Sequence, residues 1–348
     1  MAERFAALID KLTRQEDLTS DEAAGAMTEI MEGRAAPAHI AGLLVGLAMK
    51  GERPAEIVGL ARAMRTHAVQ VSRRYDDVFD TCGTGGDRSG TFNISSCGAV
   101  VVAACGVRVA KHGNRSASSR TGGADVYEAL GIKITASPAV VERCLAEAGI
   151  GFFFAPTFHP SMRHAAPVRR ELGVRTAFNL LGPLTNPAGA TRQLVGVSRP
   201  EFTELIARAL MLLGTKRAWV VHGADGIDEL TTAGYTKVSE CRDGTVNTFY
   251  LHPSDFGLPK APTSALAGGD AHENARIIES ILAGARGPAR DVVLLNAGAA
   301  LFVAGAAASV NEGILNASRA IDRGDARRTL EKLVSISTAE EFAAGAPA

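Results

Sequence analysis

Apolar and polar positions along the chain follow two different rhythms. Near the start Phe5, Leu8, Ile9 and Leu12 recur at helical spacing, and Thr19-Ser20-Asp21-Glu22 forms a capping box ahead of AAGAMTEIM. Pro37 and Pro54 stand where a first-turn proline belongs, before AHIAGLLVGLAMKG and AEIVGLARAMRTHA. This pattern predicts a small all-helical module over residues 1 to about 70. From about residue 75, short apolar runs alternate with helical stretches: DVFD, NISSCGAVVVAACG, VRVAKHG, ADVYEALG, IKIT and PAVVERCLAEAG. Strands joined through helices imply parallel pairing with right-handed crossovers, and helices over both faces of the sheet. QLVGVS and RAWVVHG continue that rhythm, whereas TKVSEC and TVNTFYL flank RDG and read as an antiparallel hairpin turning at Asp243-Gly244. Beyond about residue 270 the pattern returns to helices rich in Ala and Leu, and no internal repeat or low-complexity tract interrupts the chain.

Composition narrows the class. With 348 residues, 46% of them hydrophobic and 21% charged, the chain can bury a large core and divides more naturally into two domains than one. Lys plus Arg and Asp plus Glu both number 37, so the net charge of zero gives no electrostatic case for a nucleic-acid or membrane-surface protein. The five cysteines (Cys82, Cys97, Cys105, Cys144, Cys241) form no C-x-x-C pair, and their odd number suits reduced thiols rather than a disulfide framework. MAERFAALIDKL lacks the uninterrupted apolar core of a signal peptide, and no run is long and apolar enough to span a bilayer. A cytoplasmic location is the expectation.

The candidate chemistry lies where predicted strands end, because ligands of such sheets bind beyond the carboxyl ends of the strands. DTCGTGGD, residues 80–87, follows Val78 and Phe79, and Gly83, Gly85 and Gly86 expose backbone N–H groups there. A helix beginning near Asn93 directs its positive end at the same place, which suits a phosphate. A dinucleotide fingerprint fails, since Arg88 stands where its last glycine belongs and no acidic residue lies near Arg108; no G-K-[ST] supports a Walker A loop. Asp87 repels phosphate unless it addresses a sugar hydroxyl or a metal-bound water, so the loop suits a phosphorylated sugar. The alternative is an aspartate that only turns its own backbone.

KHGNRSASS, residues 111–119, follows the next predicted strand and supplies two permanent positive charges with several hydroxyl donors. Asp228-Glu229, after RAWVVHG, offers hard oxygen ligands of the kind Mg2+ shares with substrate phosphates, although an acidic doublet is also a common surface feature. In residues 152–173, Arg163, Arg169 and Arg170 are candidates to hold a carboxylate, with Pro156, Phe158 and Met162 giving flat apolar contact to a ring; a basic exposed helix face is the alternative. Cys82 with His112 is the one candidate nucleophile and base, but no third group to orient the histidine is evident.

GTGGD at 83–87, FNIS at 92–95, KHGNRSASS at 111–119, HPSMRHAAPVRRELGVRTAFNLLGPLTNP at 159–187 and VHGADGIDEL at 221–230 resemble the anthranilate phosphoribosyltransferase family, in the same order and over nearly the whole chain. The resemblance implies a nucleoside phosphorylase-like phosphoribosyltransferase fold of the α/β class. A small helical domain, residues 1–72, would be joined in space by part of 159–187, and residues 73–348 would form a large α/β domain with a mainly parallel central sheet flanked by helices. It further implies a homodimer through the helical domain, with neither nucleic acid nor membrane as partner. The implied reaction transfers the phosphoribosyl group of 5-phospho-α-D-ribose 1-diphosphate to the amine of anthranilate, a step of tryptophan synthesis, with two Mg2+ ions.

Carried over by position, the diphosphate-sugar contacts fall on Gly83, Gly86, Asp87, Thr91, Asn93, Ile94, Ser95, Ser96, on Lys111, His112, Gly113, Asn114, Arg115, Ser116, Ala117, Ser118 and Ser119, and on Gly123. Metal contacts fall on Ser95, Asp228 and Glu229, and anthranilate contacts on Gly83, Asn114 and Arg169, with Lys111 and Arg169 in the catalytic roles. Arg88 departs from the family pattern, which more often has glycine after GTGGD. Because the anthranilate amine is weakly basic and already neutral, it attacks without deprotonation, and the absence of an obvious base is expected. A pyrimidine nucleoside phosphorylase and a catalytically silent nucleic-acid-binding relative stay as rivals at this point; the zero net charge disfavours the second.

Overall fold

The computed structural model describes residues 2–73, 75–116 and 120–339. Four helices open the chain: α1 (Ala2–Thr13), α2 (Ser20–Met31), α3 (Pro37–Lys50) and α4 (Pro54–Thr66). The capping box is formed, with Glu22 N–H donating to Thr19 Oγ1 at 3.1 Å and Thr19 N–H to Glu22 Oε2 at 2.8 Å. Pro37 and Pro54 each begin a helix, where a missing N–H costs no hydrogen bond. Glu56 is fully buried in this module, accepting from Leu18 N–H and Arg53 N–H at 2.8 Å each and from Lys50 Nζ at 3.1 Å.

Seven strands follow: β1 (Phe79–Gly83), β2 (Val109–Gly113), β3 (Ile150–Phe154), β4 (Arg192–Gly196), β5 (Arg217–Gly223), β6 (Thr236–Arg242) and β7 (Thr245–Leu251). They form one sheet in the order β3-β2-β1-β4-β5-β6-β7. The first five are parallel, and β6 and β7 add an antiparallel edge. The β6–β7 hairpin turns at Asp243 and Gly244, whose φ values of 50° and 75° suit a tight primed turn.

IKIT is the exception to the strand readings: residues 132–135 form turns and irregular backbone, and the place beside β2 is taken by β3. Ile132 and Ile134 are buried nonetheless, and Lys133 N–H donates to Ser337 Oγ at 3.2 Å, so the segment docks on the C-terminal helix instead of a strand. Short apolar periodicity reports burial and leaves the partner open.

Two cores lie on opposite faces of the sheet. One gathers α5 (Ile94–Ala104), the helix Pro288–Ala304 and the C-terminal helices. The other joins the helical module to Val195, Val197 and Val220, to the helix Phe202–Leu212, and to Ala165, Val168, Phe178, Leu181 and Leu184 from the 159–187 segment. Among the described residues no helix is long and apolar enough to cross a membrane.

Candidate active site

The strands that build the site end in glycine at one edge of the sheet: Gly83 on β1, Gly113 on β2, Gly196 on β4 and Gly223 on β5. Gly83 and Gly196 are register partners, and both are required by what crosses above them. A Cβ at Gly196 would stand 1.6 Å from the Asp228 carbonyl oxygen, and one at Gly83 would stand 2.7 Å from Asp228 Oδ2. The missing side chains let the segment after β5 fold back over the ends of β1 and β4, carrying the acidic pair to the glycine-rich loop.

There the carboxylates meet backbone donors. Gly85 N–H donates to Asp228 Oδ2 at 3.1 Å, and Ser95 N–H, in the first turn of α5, donates to Glu229 Oε1 at 3.0 Å. Burial, and then the charge of Asp87, raises the pKa of Asp228; burial, and then Asp228, raises that of Glu229. Lys111, only 3% exposed, donates through Nζ to Thr81 O at 2.7 Å and to Ser95 Oγ at 3.4 Å, and burial lowers its pKa against the pull of Asp80.

This donor set fits Mg2+: two hard, desolvated carboxylates, each made costlier to ionise by burial and a neighbouring carboxylate, beside a hydroxyl. Among the described residues no group of three or more His, Cys, Asp or Glu is placed to hold an ion. An ion held by this pair would complete its coordination with a substrate's oxygens and water, as at magnesium sites shared with phosphates.

The other predicted residues take the following places. Thr91 bridges to Ala267, and its hydroxyl meets Ser89 Oγ at 3.0 Å. Asn93 precedes α5 and is held from both sides, its Nδ2 donating to Thr121 O at 3.2 Å and its Oδ1 accepting from Asn274 Nδ2 at 2.9 Å. Ile94 and Ser96 are buried in the first turn of α5, and Gly123 starts a helix close to Ser96. Asn114 is exposed and its Oδ1 accepts from Arg115 N–H at 2.8 Å. The Arg115 guanidinium is engaged by Asp125 at 2.7 Å and Glu128 at 2.9 Å, facing protein carboxylates. Ser116 N–H donates to Asp125 Oδ2 at 3.3 Å. Ala117, Ser118 and Ser119 lie outside the described residues.

The Cys82–His112 arrangement does not form. Cys82 is engaged by Asp80, and its thiol pKa is raised well above the usual value by burial first and Asp80 next, so it stays protonated. His112 Nδ1 faces Gly182 O at 3.0 Å, which makes it the protonated nitrogen, and burial pulls the ring's pKa down to about 3.

Of the three arginines expected to hold a carboxylate, Arg163 and Arg170 are exposed. Arg169 turns inward, its guanidinium 5.0 Å above the Phe178 ring, with no carboxylate partner among the described residues and a pKa lowered by burial.

Two residues of the site escape sequence reasoning. Asp80, fully buried, accepts from His112 N–H at 3.2 Å and from Asn186 Nδ2 at 2.9 Å; it is the counter-charge beneath Lys111. Arg175 reaches the glycine-rich loop from the 159–187 segment, donating through Nη1 to Gly85 O at 3.3 Å and Gly86 O at 3.1 Å. Its only sequence signal is membership of the family-matching segment 159–187, which does not single it out.

Comparison with known proteins accounts for both parts of the chain. The helical bundle domain of a glycosyl transferase family matches residues 6–68, and the a/b domain of a glycosyl transferase family matches residues 75–327. The chain is 54% identical over 327 residues to the anthranilate phosphoribosyltransferase of Symbiobacterium thermophilum, covering 94% of this chain and 96% of that one. The crystal structure of anthranilate phosphoribosyltransferase from Thermus thermophilus superposes with a TM-score of 0.90 at 46% identity, over 95% of this chain and 99% of that one. The Saccharomyces cerevisiae enzyme, in complex with PRPP and Mg, superposes with a TM-score of 0.88 at 27% identity, over 97% and 98% of the two chains.

Proposed function

Since the chain belongs to the anthranilate phosphoribosyltransferase family, we infer that the strand-end site described above performs that family's reaction with the residues found there. The reaction transfers the phosphoribosyl group of 5-phospho-α-D-ribose 1-diphosphate to the amine of anthranilate, giving N-(5-phosphoribosyl)anthranilate and pyrophosphate in tryptophan synthesis. The observation that carries this reading is the acidic pair Asp228-Glu229 seated on the N–H groups of the glycine-rich loop and of α5. One place therefore offers donors for phosphate and ligands for the metal that phosphate brings.

Displacement at the anomeric carbon leaves positive charge on the sugar and negative charge on departing pyrophosphate, so rate depends on stabilising the leaving group. Ser95, Asp228 and Glu229 would hold Mg2+, which would supply neutralisation of that charge. Lys111, held against Thr81 O and next to Ser95, adds a fixed positive charge. The N–H groups of the loop and the N-terminus of α5 supply oriented donors. Arg169, desolvated and without a carboxylate partner among the described residues, fits the acceptor's carboxylate. The acceptor amine is neutral and needs no base; the buried, neutral His112 supports a site that works without one.

The finer reading has two Mg2+ ions, a cytoplasmic enzyme, and a division at residue 72 with part of 159–187 joining the helical domain. The shared apolar cluster of α1 to α4 with Ala165 and Val168 supports that division. Pairing of two chains through the helical domain is consistent with the exposed Met49 on α3.

The test follows anthranilate fluorescence when the protein is mixed with anthranilate, the diphosphate sugar and Mg2+, beside a control without metal. A decay that requires the metal is expected. Intact anthranilate, together with phosphorolysis of a pyrimidine nucleoside, would replace the reading with the phosphorylase alternative.

A further inference from the structure

Arg175 lies outside every assignment made above, yet its side chain grips two carbonyls of the glycine-rich loop. Its Nη1 donates to both Gly85 O and Gly86 O. In a trans peptide the C=O and the N–H of one plane point in opposite directions. Drawing those two carbonyls toward Arg175 therefore turns the N–H groups of Gly86 and Asp87 the other way. Among the described residues, neither of these N–H groups donates to any protein acceptor, whereas Gly85 N–H is taken by Asp228.

We propose that Arg175 is a positioning residue for the transfer reaction: by holding the Gly85 and Gly86 carbonyls it presents the Gly86 and Asp87 N–H groups as a preformed pair of donors for the diphosphate. Its state fits that task. The guanidinium makes no ion pair among the described residues, and Nη2 is buried without a partner. Burial lowers its pKa, with Arg199 and Arg88 opposing its charge and Asp228 and Asp87 favouring it. An arginine kept in such surroundings only to pack would be replaceable by an apolar chain. Gly85 and Gly86, with φ of 63° and 75°, need no side chain to reach this conformation but would leave it easily once untethered.

The proposal rests on the phosphoribosyl-transfer reading for the identity of the ligand. Its test is chosen so that the two can fail separately. Full-length Arg175→Met and Arg175→Lys variants are compared with the unaltered protein in two measurements that need no turnover: amide hydrogen exchange of peptides covering residues 83–90, and calorimetric titration with inorganic pyrophosphate plus Mg2+. Steady-state kinetics follow. In Arg175→Met, exchange in the loop should speed up while peptides from α5 stay unchanged. Pyrophosphate affinity and the KM for the diphosphate sugar should each worsen about tenfold or more, with the KM for anthranilate within about twofold. Lys, which keeps a charged donor on a shorter side chain without the planar fork, should restore part of both effects. Unchanged loop exchange with unchanged pyrophosphate affinity would overturn the proposal. So would faster exchange throughout the chain with both KM values rising together, the signature of a merely structural residue. Absence of transfer by the unaltered protein would instead overturn the reaction, and the exchange contrast would still decide the role of Arg175 in the loop.

Discussion

Arg169→Ala separates a ligand-binding role from a structural one because the two make opposite demands. The guanidinium lies in the helix Ala166–Leu172, 5.0 Å above the Phe178 ring, desolvated and without a carboxylate among the described residues. A cation held in this way works against the folded state. Truncation removes a cation–π contact worth about 0.5–1 kcal/mol together with some packing of the stem, and relieves the desolvation, so the net change in stability should be close to zero. If its partner is the acceptor's carboxylate, the same truncation removes a charge-assisted fork and costs about 2–4 kcal/mol of transition-state binding. That corresponds to a fall of about 30- to 900-fold in kcat/KM for anthranilate. Initial rates taken with each substrate varied in turn check this, alongside a thermal melt. Arg169→Lys, which keeps the charge and loses the fork, should fall between the two. Equal rises in both KM values, or a melting temperature lowered by more than about 3 °C, would refute the assignment.

Asp228→Ala combined with Glu229→Ala should abolish both metal-dependent turnover and calorimetric binding of Mg2+ with pyrophosphate; a double variant that keeps full activity would remove the metal site. Arg88 adopts φ of 59°, a left-handed conformation that costs an L-residue about 1–2 kcal/mol. Arg88→Gly should leave stability unchanged or slightly raised, Arg88→Val should lower it, and denaturant titration that ranks Val above Gly would show the strain to be absent. His159 is buried, its Nε2 meets Thr185 O at 3.0 Å, and burial pulls its pKa down to about 4. Its contribution is therefore fully present above its ordinary pKa, near 6.5, and is lost as pH falls toward 4, by about 2 kcal/mol at pH 5. Because the raised carboxylates Asp80, Asp228 and Glu229 shift stability the other way, the measurement is the difference between His159→Gln and the unaltered protein. That difference should shrink from pH 8 to pH 5, and a constant gap would contradict the argument.

What the sequence makes legible here is local. Thr19 and Glu22 cap a helix from within one turn of each other, and Asp243-Gly244 turn a hairpin between immediate neighbours. Alternation of apolar runs with helical stretches suffices for a parallel sheet, since a crossover leaves few other topologies. IKIT shows where that ends. Its isoleucines are buried as a strand's would be, but the segment docks on the C-terminal helix, and nothing within it distinguishes the two partners. Residues 83–87 and 111–116 are conspicuous for the same local reason, being bare of apolar side chains at the ends of β1 and β2 and just beyond them. Arg175, Asn186 and Gly196 act across the fold, and their types alone draw no notice: an arginine two residues past a glycine, an asparagine before proline, a glycine ending a strand.

The acidic pair is where the local and the long-range readings meet. Asp228 and Glu229 accept from Gly85 N–H and Ser95 N–H, loop and helix-start donors of the kind that also suit a diphosphate. A bare diphosphate reaching them would have to displace carboxylates of its own sign in a poorly solvated place. A diphosphate accompanied by magnesium would give the same carboxylates a cation to face, leaving the N–H groups to its own oxygens. The glycines at 83 and 196 therefore serve the electrostatics as much as the chain path: any side chain there would hold the acids away from the loop.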